Sequence, residues 1–295
     1  MIRHFESRKA GYHLHLTWFE KYEIKQVGTI CRIVEILYGK HQKDKNYSYK
    51  LDYRFFSNYP FITEKKLEFA KKLYLDQEDI DSSFDPSANG LFYIMKYDTS
   101  FFTEYISLRV ERYKQHFTIP RNSLTKIWEF EDAPELTYDA LVKISDVIRS
   151  SISVEDFGAS LFIQLKPDAQ LVAIPVLKRL LLEFPKDHRK IDLVMRIGRQ
   201  FLSKDYYEVL IQEWLTINRS LEDFRQTDWT NHHWDYANGM PGDQRIRTYE
   251  LVLDAIELMP ENYRFAKHKL FLHEQINRQR QIVAEEVKMM YRGLL

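Results

Sequence analysis

Hydrophobic positions along this chain recur every three to four residues and seldom alternate. Ile191, Val194, Gly198, Phe201 and Leu202 fall on one stripe, and Tyr207, Leu210, Ile211, Trp214 and Leu215 on another. That spacing is the 3.6-residue period of an amphipathic α-helix. From residue 63 onward it predicts helices at 63–77, 86–97, 99–114, 123–131, 134–151, 154–165, 168–184, 188–202, 204–218, 243–258 and 262–291, the last broken near Leu272. Prolines at 60, 86, 120, 134, 167, 185, 241 and 260 punctuate the pattern, and only Pro175 stands inside one. Asp85 and Pro86 read as an N-cap followed by a first helical residue, where proline has no N–H to leave unsatisfied. Ser153 to Asp156 reads as a near capping box.

Successive amphipathic helices joined by short loops predict an all-α fold, an α-solenoid of stacked helix pairs of the TPR/HEAT-like kind. Units of about 35 residues fall at 167–202 and 204–258, without a tetratricopeptide or ankyrin consensus. Residues 1–60 are expected to hold one helix, 20–38, and a polar then aromatic linker, with the repeat domain spanning 61–295. Only nine glycines occur in 295 residues, too few for the tight turns of a β-sandwich or barrel.

Composition narrows the function classes. Apolar residues at 44% and charged residues at 29% fit a soluble globular protein. Lys plus Arg and Asp plus Glu balance at 43 each, so no global field draws the chain to nucleic acid or an anionic membrane. Cys31 is the only cysteine, which excludes an internal disulfide, fits a reducing compartment and reads as a small buried hydrophobe. No apolar run approaches the roughly 20 residues of a membrane span. The first residues lack the apolar core of a secretory signal. A cytoplasmic location is therefore the expectation.

Catalytic motifs are scarce. Gly39-Lys40 is followed by His41, with Val34 where a P-loop needs its first glycine, so successive N–H groups cannot cradle phosphates there. The serine-hydrolase elbow and the zincin helix are also missing. Ser123 to Lys126 matches S-x-x-K without its companion motifs. His4, His13 and His15 lack a carboxylate at ligand spacing. The chain is read as non-enzymatic, with no cofactor and no metal.

The stretch "DWTNHHWDYANGMPGDQR", 228–245, lies in a connection, 219–242, that is long for a helical protein, and such loops are usually functional or disordered. Its aromatic surface argues for order, packed inward or presented outward. Trp229, Trp234 and Tyr236 are candidate partner-binding anchors, beside His232, His233 and Asp235, with Arg245 and Arg247 as charge-pairing contacts. A metal site from His232 and His233 with Asp228 and Asp235 is a lesser alternative. Residues 178–204 carry eight Lys or Arg against three acids, and Arg264, Lys267, Lys269, Arg278 and Arg280 follow in the last helix. The principal alternative is accordingly a HEAT-like nucleic-acid-binding protein or DNA-base glycosylase, whose basic helices hold phosphates while Asp235 and the tryptophans handle an extruded base.

"FDPSANGLFYIMKYDTSFFTEYI", 84–106, resembles a segment of the C-terminal helical arrays of bacterial STAND-type signal-transduction NTPases, including the Avs-like antiviral group. The Trp- and Gly-containing loop before "YELVLDAI", and the terminal "HKLFLHEQINRQRQIVAEEVKMMYRGLL", are similar to the way those arrays finish. The likeness covers 63–295, although "HHWDYANGMPG" stands where a more Ser/Gly-rich run is the pattern. It implies a sensor region that recognises a foreign protein, such as a phage protein, and passes the signal to an upstream nucleotide-binding module. The partner expected is thus a protein, and no membrane is involved.

Overall fold

The computed structural model describes residues 12–13, 27–44, 49–50, 56, 63–77, 85, 87–116, 123–147, 157–230 and 241–292. They belong to two compact units, Met1–Asp132 and Ala133–Leu295. Among them the architecture is all-α and helical-repeat in kind, apart from a two-residue parallel pairing of β1 (Tyr12–His13) with β2 (Tyr49–Lys50).

The first unit holds α1 (Val27–Lys43), α2 (Glu64–Leu75), α3 (Asn89–Met95), α4 (Phe101–His116) and a 3-10 turn, Thr125–Glu129. Of the predicted 20–38 helix, residues 27–38 lie in α1, which continues to Lys43, and residues 20–26 lie outside the described residues. Cys31 lies on α1, with its side chain outside the described residues. The α1 helix is fastened to α2 rather than only leading to it. Tyr38 Oη and Gln42 Nε2 donate to Asp76 Oδ2 at 2.8 and 2.7 Å, and Tyr38 meets Phe69 edge-on at 5.5 Å. From α4, Arg112 donates to the carbonyls of Leu75 and Gln77 at 2.8 and 3.0 Å, satisfying acceptors that the end of α2 leaves open.

Asp85 does cap a helix, but not as an N-cap immediately before its first turn. The helix starts at Asn89, after Ala88 in the left-handed region at φ 52°. The fully buried carboxylate reaches across that turn to accept from the N–H groups of Asn89, Gly90 and Leu91 at 2.9, 2.8 and 3.2 Å, and from Tyr74 Oη at 2.8 Å. Three of the four orphan donors of the helix start are thereby satisfied by one side chain. The approach is tight at Gly90, where a Cβ would stand 3.1 Å from both Asp85 Oδ2 and the Tyr74 ring. Pro86 and the Ser153–Asp156 box lie outside the described residues.

The second unit contains α5 (Ala133–Val147), a helical turn at 157–160, α6 (Pro167–Glu183), α7 (His188–Phe201), α8 (Lys204–Ile217), α9 (Leu221–Gln226), α10 (Pro241–Glu257), a 3-10 turn (Asn262–Phe265) and α11 (Ala266–Arg292). Helices stack pairwise: α5 on α6, α6 on α8, α8 on α10 and α10 on α11, while α7 packs against α5, α6 and α8. Three neighbours explain why Ile191, Leu193, Val194, Met195, Ile197 and Gly198 of α7 are all buried. At Gly198 α7 packs closely on α8, since a Cβ there would lie 2.8 Å from Tyr207 Cδ2 and 3.0 Å from Leu210 Cδ1.

Two expectations are corrected. The α11 helix runs unbroken through Leu272, because Phe265, His268, Leu272, Ile276 and Gln279 share one buried stripe that a break would put out of phase. The connection 219–242 is not a single long loop, since α9 occupies Leu221–Gln226 and α10 starts at Pro241. Ser220 caps α9, its Oγ accepting from Asp223 N at 3.2 Å. No helix among the described residues is long and apolar enough to cross a membrane.

Candidate recognition surface

The sequence directs attention first to the corner after α9. There Asn218 Nδ2 bridges the Pro185 carbonyl and Asp223 Oδ2 at 2.9 and 2.8 Å, which turns the chain from α8 into α9. That turn brings Phe224 and Trp229 onto Trp214 of α8, with ring centroids 4.8 Å (Phe224–Trp229), 5.6 Å (Trp214–Trp229) and 6.3 Å (Trp214–Phe224) apart. Trp229 is only 2% exposed, and its Nε1 donates to the Phe224 carbonyl at 2.8 Å. As an outward anchor it is therefore corrected: it packs inward, because six residues of helix fold the chain back and leave a carbonyl for the indole N–H.

A polar seam lies beside this aromatic cluster. Asp192 Oδ1 accepts from Asp228 N at 2.8 Å, Asp228 Oδ1 accepts from Thr230 N at 3.1 Å, and Arg199 Nη1 donates to the Trp229 carbonyl at 2.6 Å. Burial pushes the Asp192 carboxyl up to about 6, with the Asp228 charge adding to the rise. Burial likewise lowers the Arg196 guanidinium to about 10 and raises the Tyr207 phenol to about 12. Tyr249, also raised by burial, hydrogen-bonds Thr230 and lies near Arg245, Arg278 and Asp228. A carboxyl titrating near 6 is a possible acid or base, but Asp192 holds a backbone N–H. Among the described residues no group of three or more His, Cys, Asp or Glu is arranged to hold a metal ion. The seam clamps residues 228–230 in place.

Of the remaining expected contacts, Arg245 is half-buried beside Tyr249 and Arg247 is exposed on α10. His232, His233, Trp234, Asp235 and Tyr236 lie outside the described residues, so Asp228 is the only member of the alternative metal set that is placed.

The basic segment 178–204 is engaged within the unit. Lys178 pairs with Glu213 at 2.8 Å, Arg179 with Glu135 and Glu183 at 2.8 and 2.9 Å, Lys190 with Asp146 and Asp187 at 2.6 and 2.8 Å, and Lys204 with Glu208 at 3.3 Å. Lys190 is only 3% exposed and Arg196 only 8%, while Arg199 serves Trp229. Of the eight cations, these six do not form a continuous phosphate-tracking row.

Apolar surface is distributed differently. Eight large hydrophobic side chains stand exposed among the described residues, and seven of them, Ile163, Leu171, Val172, Leu182, Leu258, Tyr263 and Leu270, belong to the second unit. Three share one helix. On α6 the positions 167, 168, 171, 172, 175, 179, 182 and 183 face solvent while Ala173, Ile174, Val176, Leu177, Leu180 and Leu181 are buried. The outer face thus reads Leu171, Val172, Pro175, Arg179, Leu182. Arg179 lies over the Tyr138 ring, 3.9 Å from its centroid, and Tyr138 Oη donates to Glu183 Oε2. The sequence predicts a helix at 168–184 but not that one face of it stays uncovered. The missed signal is that "LVAIPVLKRLLLE" holds more apolar residues than a 100°-wide stripe can bury.

Against known proteins, no family model, no curated protein and no solved structure matches the chain.

Proposed function

We propose that the chain is a non-enzymatic protein-recognition module whose stacked helices offer a preformed surface to a protein partner. The observation that carries this is the concentration of exposed large apolar side chains on the second unit, three of them along α6. Exposed apolar groups gathered on one element mark interaction sites, whereas scattered ones do not. Three ionisable groups of the second unit support the same reading, since Asp192 accepts a backbone N–H, Arg199 donates to a backbone carbonyl and Lys190 pairs with Asp146 and Asp187. In keeping with the resemblance to the STAND-type arrays, the partner is a foreign protein such as a phage protein, and the response is relayed to a nucleotide-binding module.

Co-expression with the nucleotide-binding module of a STAND-type protein and a panel of phage proteins tests this, with assembly read by mass photometry. A cognate phage protein should drive ATP-dependent oligomers, and Leu171→Glu combined with Leu182→Glu should prevent them while leaving helicity intact. Oligomers that survive that pair would remove the surface from the proposal. Tight duplex-DNA retention that falls steeply with salt would favour the nucleic-acid alternative.

A further inference from the structure

The α9 helix is anchored to the second unit through one side chain. Of its six residues, Leu221–Gln226, only Phe224 is buried. A helix that short does not persist by itself. It is held because Phe224 sits among rings from its surroundings: Trp214 of α8, Trp229 beyond the corner, and Phe271 and His268 of α11, with centroids 6.3, 4.8, 6.0 and 4.8 Å away. Segments with so little buried surface are the ones that open locally.

His268 is the titratable member of that cluster. It is only 5% exposed, meets Phe224 and Phe265 edge-on at 4.8 and 5.3 Å, and neither of its ring nitrogens has a hydrogen-bond partner among the described residues. A neutral imidazole can lie there as one more flat ring. A protonated one brings a full charge and two N–H donors, and phenyl rings give those donors no oxygen. Burial accordingly holds the imidazole below the ordinary 6.5, a fall that the nearby Ser220 carbonyl moderates and the Arg225 charge on α9 deepens.

The other charges around the corner act differently. Asp223 of α9 accepts from Asn218 Nδ2 at 2.8 Å and lies 3.7 Å from His188 Nε2 of α7, a contact that tightens when His188 is charged. Asp192 of α7, which holds the Asp228 N–H, favours the clamped chain as pH falls through about 6. Arg264 of the 3-10 turn pairs with Glu261 at 2.7 Å, and Lys269 of α11 with Glu257 at 3.0 Å. In mild acid, His268 is the one of these groups whose protonation loosens the corner.

We infer that the corner is a proton-operated latch: neutral His268 keeps Phe224 seated and α9 closed, and protonation drives α9 off α11, uncovering Phe224, Trp214 and Trp229. The latch goes beyond the protein-recognition reading and does not depend on it. Its sign follows from linkage. An opened corner lets the imidazole take a proton at its ordinary value while the closed one resists, so opening is favoured by up to about tenfold per pH unit as pH falls through 6.5, and levels off below the closed-state value.

Hydrogen exchange of the full chain, read by mass spectrometry from pH 7.5 to 5.5 and corrected for the pH dependence of intrinsic exchange, tests it. Amides 221–230 should lose about three- to tenfold in protection, while α5 stays better protected by about tenfold or more at each pH, which marks the opening as local. His268→Phe keeps an edge-on ring without a titrating group, so it should abolish the pH dependence. His268→Leu should do the same and serves if the phenylalanine variant does not fold. In the wild-type chain the His268 ring resonances should titrate below 6.5 by NMR. Protection of 221–230 that is flat across this range, or equal to that of α5, would overturn the latch. So would a fall that survives both substitutions, or a ring titrating at 6.5 or above.

Discussion

Replacing Trp229 with alanine should unfold the second unit at much lower denaturant concentration. The indole is 2% exposed, lies against Trp214 and Phe224, and donates to the Phe224 carbonyl. Burying about 150 to 250 Å² of indole contributes roughly 4 to 6 kcal/mol, an upper value because an unfolded chain already covers part of that surface. Measured large-to-small changes of this kind fall at about 3 to 5 kcal/mol, and the carbonyl that loses its donor adds to the cost. A loss of about 4 kcal/mol is therefore expected, a large share of the stability of a typical domain. Urea unfolding followed by far-UV circular dichroism should show the midpoint falling by about 2 M, for a slope of about 2 kcal/mol per molar. Trp229→Phe keeps most of the packing and should lose about 1 to 2 kcal/mol. Arg247→Ala, on an exposed position, should stay within about 0.5 kcal/mol. A Trp229→Ala loss below about 1 kcal/mol would show that the indole is not clamped in the corner after α9.

Other substitutions probe separate parts of the account. The half-buried Asp192 carboxyl is pushed up to about 6 from an ordinary 3.8, so between those values the folded chain holds a proton that the unfolded chain releases. Its contribution to stability is greatest below pH 4 and declines as pH rises through 6, to a penalty on the order of 3 kcal/mol at neutrality. Asp192→Asn keeps an acceptor for the Asp228 N–H and should raise the thermal midpoint at pH 7.5 but not at pH 4; a variant less stable at pH 7.5 would contradict this. Gly198→Ala should destabilise by about 1 to 3 kcal/mol in urea titrations despite alanine's better helix propensity, because its Cβ meets the Tyr207 ring; a stabilised variant would mean that α7 and α8 are less closely packed. Asp85→Asn would set an amide donor against the N–H groups of Gly90 and Leu91 and the Tyr74 hydroxyl, so hydrogen exchange along α3 should speed at least tenfold, about 1.4 kcal/mol of local opening. Unchanged exchange there would deny the carboxylate its capping role.

Most helix positions were readable because their apolar stripes and boundary residues agreed. The stripes through Ile191 and Tyr207 predicted 188–202 and 204–218, and the helices occupy His188–Phe201 and Lys204–Ile217. Errors arose where local signals were weak or pointed two ways. The α9 helix is only six residues long, with Leu221 and Phe224 as its apolar residues, so it leaves no periodicity. Ser220 and Asp223, spaced like a capping box, were its available signature. Asp85 and Pro86 carried the signal of a helix start, but a left-handed Ala88 moves that start to Asn89, which a propensity argument cannot see. The direction of Trp229 was open because an indole suits a core and an interface equally. It became decidable only once Phe224 and Trp214 were placed beside it. On α6, Leu171, Val172 and Leu182 are of the same apolar type as the residues that the helix buries, so residue type alone does not show that they are left exposed.

The central claim is that uncovered apolar surface on the second unit meets a protein. In-cell photo-cross-linking tests it most directly, with a benzoylphenylalanine placed at position 182 on the α6 face and, as a control, at position 247 on α10. Discrete protein adducts from position 182, absent from position 247 and lost when Leu171 is changed to Glu, are the predicted result. Adducts to nucleic acid alone, or protein adducts identical from both positions, would contradict it.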